Sequence, residues 1–126
     1  MKKPIGPTAH GVLDYGFATM IALAPSLFNL RCSARTLCYG FAANTAITNG
    51  LTDHGVGLKP LIPLRVHGQL EVPIVPALLL LPWATGAFKQ RNARRFFVWY
   101  FLAALANFLL TDYNACEPQG SESEEV

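Results

Sequence analysis

An internal duplication constrains this chain more than any other feature of its sequence. The segment His10–Asp14 recurs as His67–Glu71, and the segment Leu51–His54 recurs as Leu110–Tyr113. Both copies also place a proline fifteen residues after the histidine, so the likeness extends well beyond a short motif. Self-similarity of this kind indicates two copies of one supersecondary unit.

The composition favours a chain embedded in a membrane. Of its 126 residues, 52% are hydrophobic and only 14% are charged. A soluble domain of this size buries too little surface to shelter so many apolar side chains. Segments of about 20 apolar residues cross a hydrocarbon core of about 30 Å as helices. Four such segments cover about residues 10–30, 35–53, 67–88 and 93–113.

Two helices in each copy predict an all-α fold, a four-transmembrane-helix bundle built from two parallel-repeat helical hairpins. The repeats, at about residues 8–54 and 65–113, belong to a single membrane domain over residues 1–113. Residues 114–126 form an acidic tail that we expect to be disordered. A soluble alternative stays open, because the charged motifs shorten the apolar runs to lengths that buried core helices also have.

The second segment is the least apolar of the four. Its polar residues would be costly against lipid, so we expect them to turn inward against other helices. These residues are Asn44, Thr45, Thr48 and Asn49.

Basic residues predict the orientation in the membrane. Six of them flank the two short hairpin loops, namely Arg31, Arg35, Lys89, Arg91, Arg94 and Arg95. Four lie toward the other face, namely Lys2, Lys3, Lys59 and Arg65. Because cytoplasmic loops carry the excess of basic residues, the short loops are predicted to be cytoplasmic and the termini to face outward. Arg94 and Arg95 would form a basic edge at the depth of the lipid headgroups.

Ionisable residues of both repeats should meet at the outward face. His10 precedes Asp14 by four residues, which places both side chains on one face of a helix. The second repeat does the same with His67 and Glu71. The Leu-Thr-Asp motifs return the chain to this face, so we expect a cluster of His10, Asp14, Asp53, His67, Glu71 and Asp112. Such residues near a membrane indicate a site or a structural pair.

Four interpretations of this cluster stay open. It is a structural clasp if each histidine only donates to an acid of a neighbouring helix. It is a divalent-metal site if His10, Asp14, His67 and Glu71 serve as ligands, since imidazole and carboxylate bind zinc, manganese or iron. It is a haem site if the two histidines are axial ligands. Proton or quinone chemistry is the fourth interpretation. No residue is assigned a catalytic role.

The duplicated motifs resemble those of the SPW-repeat family of small bacterial integral membrane proteins. The resemblance rests on the His-Gly-x-Leu-Asp/Glu and Leu-Thr-Asp-His/Tyr motifs and covers about residues 8–113. It also rests on two tripeptides at the position where that family carries Ser-Pro-Trp, Ala24-Pro25-Ser26 and Leu81-Pro82-Trp83. The resemblance implies a multi-pass protein of the bacterial cytoplasmic (inner) membrane and implies no particular activity.

The small size predicts a noncatalytic accessory subunit or an oligomeric membrane module. Four spans leave almost no residues for an extramembrane domain, and small residues such as Ala42 and Ala103 favour association between helices. The expected partners are the lipid bilayer and other membrane subunits or a second copy. The alternative is a metal- or haem-binding redox or transport protein. Nucleic-acid binding is not expected, because the net charge is only +2.

Overall fold

The structure, a computed structural model, describes residues 3–115. In this part of the chain every long element is an α-helix, which confirms the all-α prediction. The helices are α1 (Pro7–Leu27), α2 (Cys32–Gly50), α3 (Leu64–Ala84) and α4 (Arg91–Leu110), with a 3₁₀ turn at Ala87–Lys89. Apart from residues 114 and 115, the predicted acidic tail lies outside the described residues.

Each helix begins and ends about one turn earlier than the apolar segments predicted. Proline explains the early starts of α1 and α3, because its fixed φ suits the first helical turn and its missing N–H costs nothing there. Pro7 is the first residue of α1, and Pro63 directly precedes α3. As a result, His10 and His67 are each the fourth residue of their helix.

The four helices form two hairpins. α1 packs mainly against α2, and α3 packs mainly against α4. Side chains from all four helices form the apolar core between them, including Ile21, Cys38, Leu78 and Phe97. At the end with the short loops, polar contacts join the hairpins, since the Gln90 amide donates to the carbonyl of Asn29 at 2.7 Å.

At the opposite end, the backbone repeats one pattern twice. Ile5, just before α1, pairs with the backbone on either side of Thr111 through hydrogen bonds of 3.1 and 2.9 Å. Ile62, just before α3, pairs in the same way with the backbone on either side of Thr52 at 2.8 and 2.7 Å. Each repeat therefore begins beside the end of the other, which places the duplicated motifs together.

The outer surface of the helices is largely apolar. Large hydrophobic side chains such as Leu27, Leu80, Trp83 and Trp99 are exposed. Two helices, α3 and α4, are long and apolar enough to cross a membrane. Between Pro7 and Leu110 the only acids within the four helices are Asp14 and Glu71.

The polar residues of α2 point in several directions. Asn49 is buried, and Thr45 and Thr48 are half-buried, as expected for an inward stripe. Asn44 is exposed, so the prediction was wrong for that residue.

Candidate metal centre

Four ionisable side chains converge where α1 faces α3. His10 and Asp14 come from α1, and His67 and Glu71 come from α3. One nitrogen or oxygen atom from each of the four lies within 4.8 Å of the others. The histidines are 0% and 2% exposed and Asp14 is 4% exposed, whereas Glu71 is half-buried. We call these four residues the ligand group.

Distances within the ligand group are short and nearly symmetric. The Nε2 atoms of His10 and His67 are 3.2 Å apart. The Asp14 Oδ2 atom lies 3.2 Å from the first of these nitrogens and 3.1 Å from the second. The Glu71 Oε1 atom lies 3.5 Å from each. All four groups therefore point their polar atoms at one small volume.

Two threonines orient the imidazoles. His10 Nδ1 is 2.8 Å from the hydroxyl of Thr111, and His67 Nδ1 is 2.7 Å from the hydroxyl of Thr52. Each hydroxyl donates its hydrogen to a backbone carbonyl four residues earlier at 2.6 Å. The hydroxyl must then accept from the Nδ1–H, so the Nε2 of the neutral ring carries a lone pair that faces the centre. Fixing the tautomer in this way is typical of metal-binding histidines.

One residue near the end of α4 and one in the chain after it hold the carboxylates. The Asn107 amide donates to Asp14 Oδ1 at 3.2 Å, and the Tyr113 hydroxyl donates to Glu71 Oε2. Burial raises the pKa of Tyr113 well above its usual range, so its hydroxyl stays protonated and continues to donate. Each carboxylate therefore has one oxygen held by a donor and one oxygen directed at the histidines.

The structure does not bring Asp53 and Asp112 into the ligand group. Asp53 is exposed, and the half-buried Asp112 accepts a hydrogen bond from the backbone N–H of Asn114 at 3.2 Å. Because α2 and α4 end before the threonines of the Leu-Thr-Asp motifs, Thr52 and Thr111 point inward in place of the acids. The sequence contained a signal for this, since the motif duplicates the threonine as well as the acid.

Close packing at two glycines completes the site. A Cβ atom on Gly11 would lie 2.7 Å from the His54 ring, and a Cβ atom on Gly68 would lie 2.8 Å from the Tyr113 ring. His54 therefore occupies in the first repeat the position that Tyr113 occupies in the second. The His54 ring does not reach a carboxylate, because its Nε2 bonds Asn49 Oδ1 at 2.8 Å.

The predicted basic edge lies far from this centre. Arg94 and Arg95 are both exposed at the beginning of α4, and Arg94 donates to the carbonyl of Phe88 at 3.1 Å. Along α4 they are about 20 Å from Asn107, at about 1.5 Å per residue.

The geometry does not fit a haem between the two histidines. Axial nitrogens on opposite sides of one metal ion are about 4 Å apart at metal–nitrogen distances of about 2.0 Å. The Nε2 atoms are 3.2 Å apart. The two carboxylates also lie within 3.5 Å of these nitrogens, where the macrocycle would have to pass. The set of donors instead suits a small cation such as zinc, manganese or iron.

Comparison with known proteins gives no relative, since no protein-family model, curated protein or solved structure matches the chain.

Proposed function

We propose that the protein is a small helical integral membrane protein that binds one divalent transition-metal ion in its ligand group. The observation that carries this proposal is the spacing of the donor atoms. Four ligands held tetrahedrally about 2.0–2.2 Å from a metal ion lie about 3.3–3.6 Å from one another. The five separations that involve a histidine nitrogen are 3.1 to 3.5 Å.

Charge balance favours a metal ion over a clasp of hydrogen bonds. Asp14 and Glu71 together carry two negative charges when ionised, and both histidine Nδ1 atoms already hold their hydrogens. One further proton at the centre leaves a buried negative charge, which is costly. Two further protons balance the charge, and if both sit on the imidazoles, two N–H groups face each other at an Nε2–Nε2 distance of 3.2 Å. A divalent cation neutralises both carboxylates and accepts all four lone pairs.

A membrane location is supported by the surface of the helices. Large apolar side chains such as Leu80 and Trp99 are exposed along them, and the charged residues on that surface lie near helix ends. Lipid covers such a surface without cost. Together with the likeness to the SPW-repeat family, this supports a multi-pass protein of the bacterial cytoplasmic membrane. The basic short loops then lie in the cytoplasm, and the ligand group lies near the outer face.

The test is a metal count on protein purified in mild detergent. After removal of loosely held metal, we expect one divalent ion per chain in the wild type and none in the His10→Ala/His67→Ala double variant. His54→Ala and Asp53→Asn are matched controls, because they remove a histidine and an acid outside the ligand group. Both should keep their metal.

Two results would contradict the metal site. One is a wild type without bound metal after growth or reconstitution with zinc, manganese and ferrous iron. The other is a double variant that keeps its metal. Circular dichroism checks that the double variant is helical; if it is not, Asp14→Asn/Glu71→Gln, which changes side-chain shape very little, replaces it.

A second role as an oligomeric module or accessory subunit is favoured by the exposed amide of Asn44 on α2. An amide facing lipid finds no partner, whereas an amide facing another transmembrane helix finds one. We propose that this face of α2 contacts a neighbouring subunit. Replacing Asn44 with leucine should shift the detergent-solubilised protein to a smaller size, measured by light scattering. An unchanged size would exclude this face as the contact.

A further inference from the structure

A small cavity in the core of the bundle adjoins the ligand group. Its volume is about 40 Å³, and Asp14 and Glu71 line it together with side chains from all four helices. Neither His10 nor His67 is among its lining residues, so the cavity lies on the carboxylate side of the group. One water molecule needs about 10–15 Å³ of such space, so there is room for a ligand of about one to three heavy atoms.

The lining of the cavity is partly polar and partly apolar. Besides the two acids, Thr45 and Asn107 are polar, and the Asn107 amide donates to Asp14 Oδ1. Elsewhere it is lined by apolar side chains, including Phe41, Val75 and Leu78. A few polar groups beside a metal ion and an otherwise apolar lining suit a small bound molecule at an open metal site.

Resting on the proposed metal site, we propose that the bound ion has an open coordination position facing this cavity, which takes a small neutral molecule. Iron(II) and manganese(II) accept up to six ligands, so four protein ligands leave coordination positions open. A divalent ion with two carboxylates and two neutral imidazoles has no net charge. An anion would add an unpaired charge to a mostly apolar cavity, whereas a neutral molecule adds none.

An apolar groove on the surface supplies a route to this position. The groove lies between α1 and α4 and has a volume of about 1020 Å³. Phe17 and Tyr100 line both the groove and the cavity, so these two residues lie between the two spaces. The ring centroids are 5.4 Å apart, and the Tyr100 hydroxyl donates to the carbonyl of Phe17 at 3.0 Å. Movement of one ring would connect the groove with the cavity.

Nitric oxide is a suitable neutral probe for the open position. The protein is loaded with ferrous iron without oxygen, its iron content is measured, and nitric oxide is added. Binding forms an iron–nitrogen bond and breaks no bond within either partner. We expect the electron paramagnetic resonance signal of a high-spin ferrous nitrosyl complex, in proportion to the bound iron.

Two leucine substitutions on α4 locate the position. Ala104 lines the cavity, so Ala104→Leu should fill it, keep the iron and lose most of the nitrosyl signal. Ala103 lines the groove instead, so Ala103→Leu is a matched control that should keep both the iron and the signal. If Ala104→Leu fails to bind iron, Phe17→Ala takes its place, since a smaller side chain in the partition should speed nitric oxide binding in stopped flow.

The outcomes separate this inference from the metal site itself. A wild type that binds no iron, manganese or zinc overturns both. Iron bound in full without a nitrosyl signal overturns the open position and leaves the metal site standing. An undiminished signal in Ala104→Leu, or an unchanged rate in Phe17→Ala when that variant is used, shows that the ligand does not occupy this cavity.

Discussion

Both repeats hold the imidazoles of the candidate metal centre in the same way, whereas the second repeat supplies the side chains that hold both of its carboxylates. Each histidine is held by a threonine from the other repeat, His10 by Thr111 at 2.8 Å and His67 by Thr52 at 2.7 Å. This exchange is possible because each repeat begins beside the end of the other. The duplicated residues therefore account for both nitrogen ligands and their orientation.

Each repeat supplies one carboxylate, but both carboxylates accept hydrogen bonds from side chains of the second repeat. In the second repeat, Asn107 donates to Asp14 and Tyr113 donates to Glu71. In the first repeat, Asn49 donates to the carbonyl of Gly11 at 2.8 Å and pairs with His54 instead. Residues that remained alike after duplication orient the two histidine ligands. Residues that differ between the repeats hold the two carboxylate ligands. The comparison predicts which substitutions act in the same way in both repeats.

Alanine at the duplicated glycines should have the largest effect on stability. A Cβ atom would lie 2.5 Å from Val56 Cγ2 at Gly11 and 2.8 Å from Tyr113 at Gly68. Overpacking of this kind costs about 1–3 kcal/mol. The measurement is the midpoint of thermal unfolding in detergent for Gly11→Ala and Gly68→Ala. As a control, Gly16→Ala meets nothing within 4 Å and should gain about 0.5–1 kcal/mol of helix stability.

A stable Gly11→Ala or Gly68→Ala variant would contradict the close approach of His54 and Tyr113 to the two helices. A loss in only one of the two variants would show that the packing of the repeats has diverged along with their carboxylate contacts.

Valine in place of either threonine should weaken metal binding equally in the two repeats. Thr52→Val and Thr111→Val keep the shape of the side chain and remove the acceptor that holds the imidazole tautomer. Loss of such an outer partner lowers metal affinity about 10–100-fold. Competition titration with a chromophoric chelator measures this change, and the matching serine variants should keep the wild-type affinity. A clear difference between the two valine variants would contradict the symmetric role of the threonines.

Sequence alone predicted the part of the site that depends on local geometry. A spacing of four on a helix is enough to place His10 beside Asp14 and His67 beside Glu71. The choice between Thr52 and Asp53 depended instead on where α2 ends. An apolar segment does not define where its helix ends. The predicted end of α2 was about one turn too late, so Asp53 was expected to face inward where Thr52 does.

The carboxylate donors could not be predicted in this way. Tyr113 reaches Glu71 from the chain after α4, and Asn107 reaches Asp14 across two different helices. Such contacts depend on the packing of the two hairpins, which no spacing within one helix specifies. The same is true of the cavity beside the ligand group. The mutual placement of the hairpins, rather than the repeat motif, therefore determines access to the site.

Phenylalanine at Tyr113 should weaken metal binding by less than either threonine variant. The ring that packs on Gly68 is kept, and only the hydroxyl that donates to Glu71 Oε2 is removed. Because this oxygen faces away from the centre, we expect about a tenfold loss of affinity, the lower end for an outer partner. His54→Ala, at the matching position of the first repeat, should leave the affinity unchanged. Equal losses in both variants would contradict the division between the repeats.

The smallest expected effect is a pH dependence of stability that belongs to the first repeat alone. Burial lowers the pKa of His54 below 6.5, whereas burial raises that of Tyr113. His54 Nδ1 is buried and, among the described residues, has no hydrogen-bond partner, so a proton there finds no acceptor. A histidine with a lowered folded-state pKa stabilises the protein above pH 6.5, and this contribution is lost as the pH falls. Between about pH 7 and 5.5 the unfolding midpoint of the wild type should fall more than that of His54→Gln, since the other histidines contribute equally to both proteins. Parallel midpoint curves would show that His54 does not titrate on unfolding.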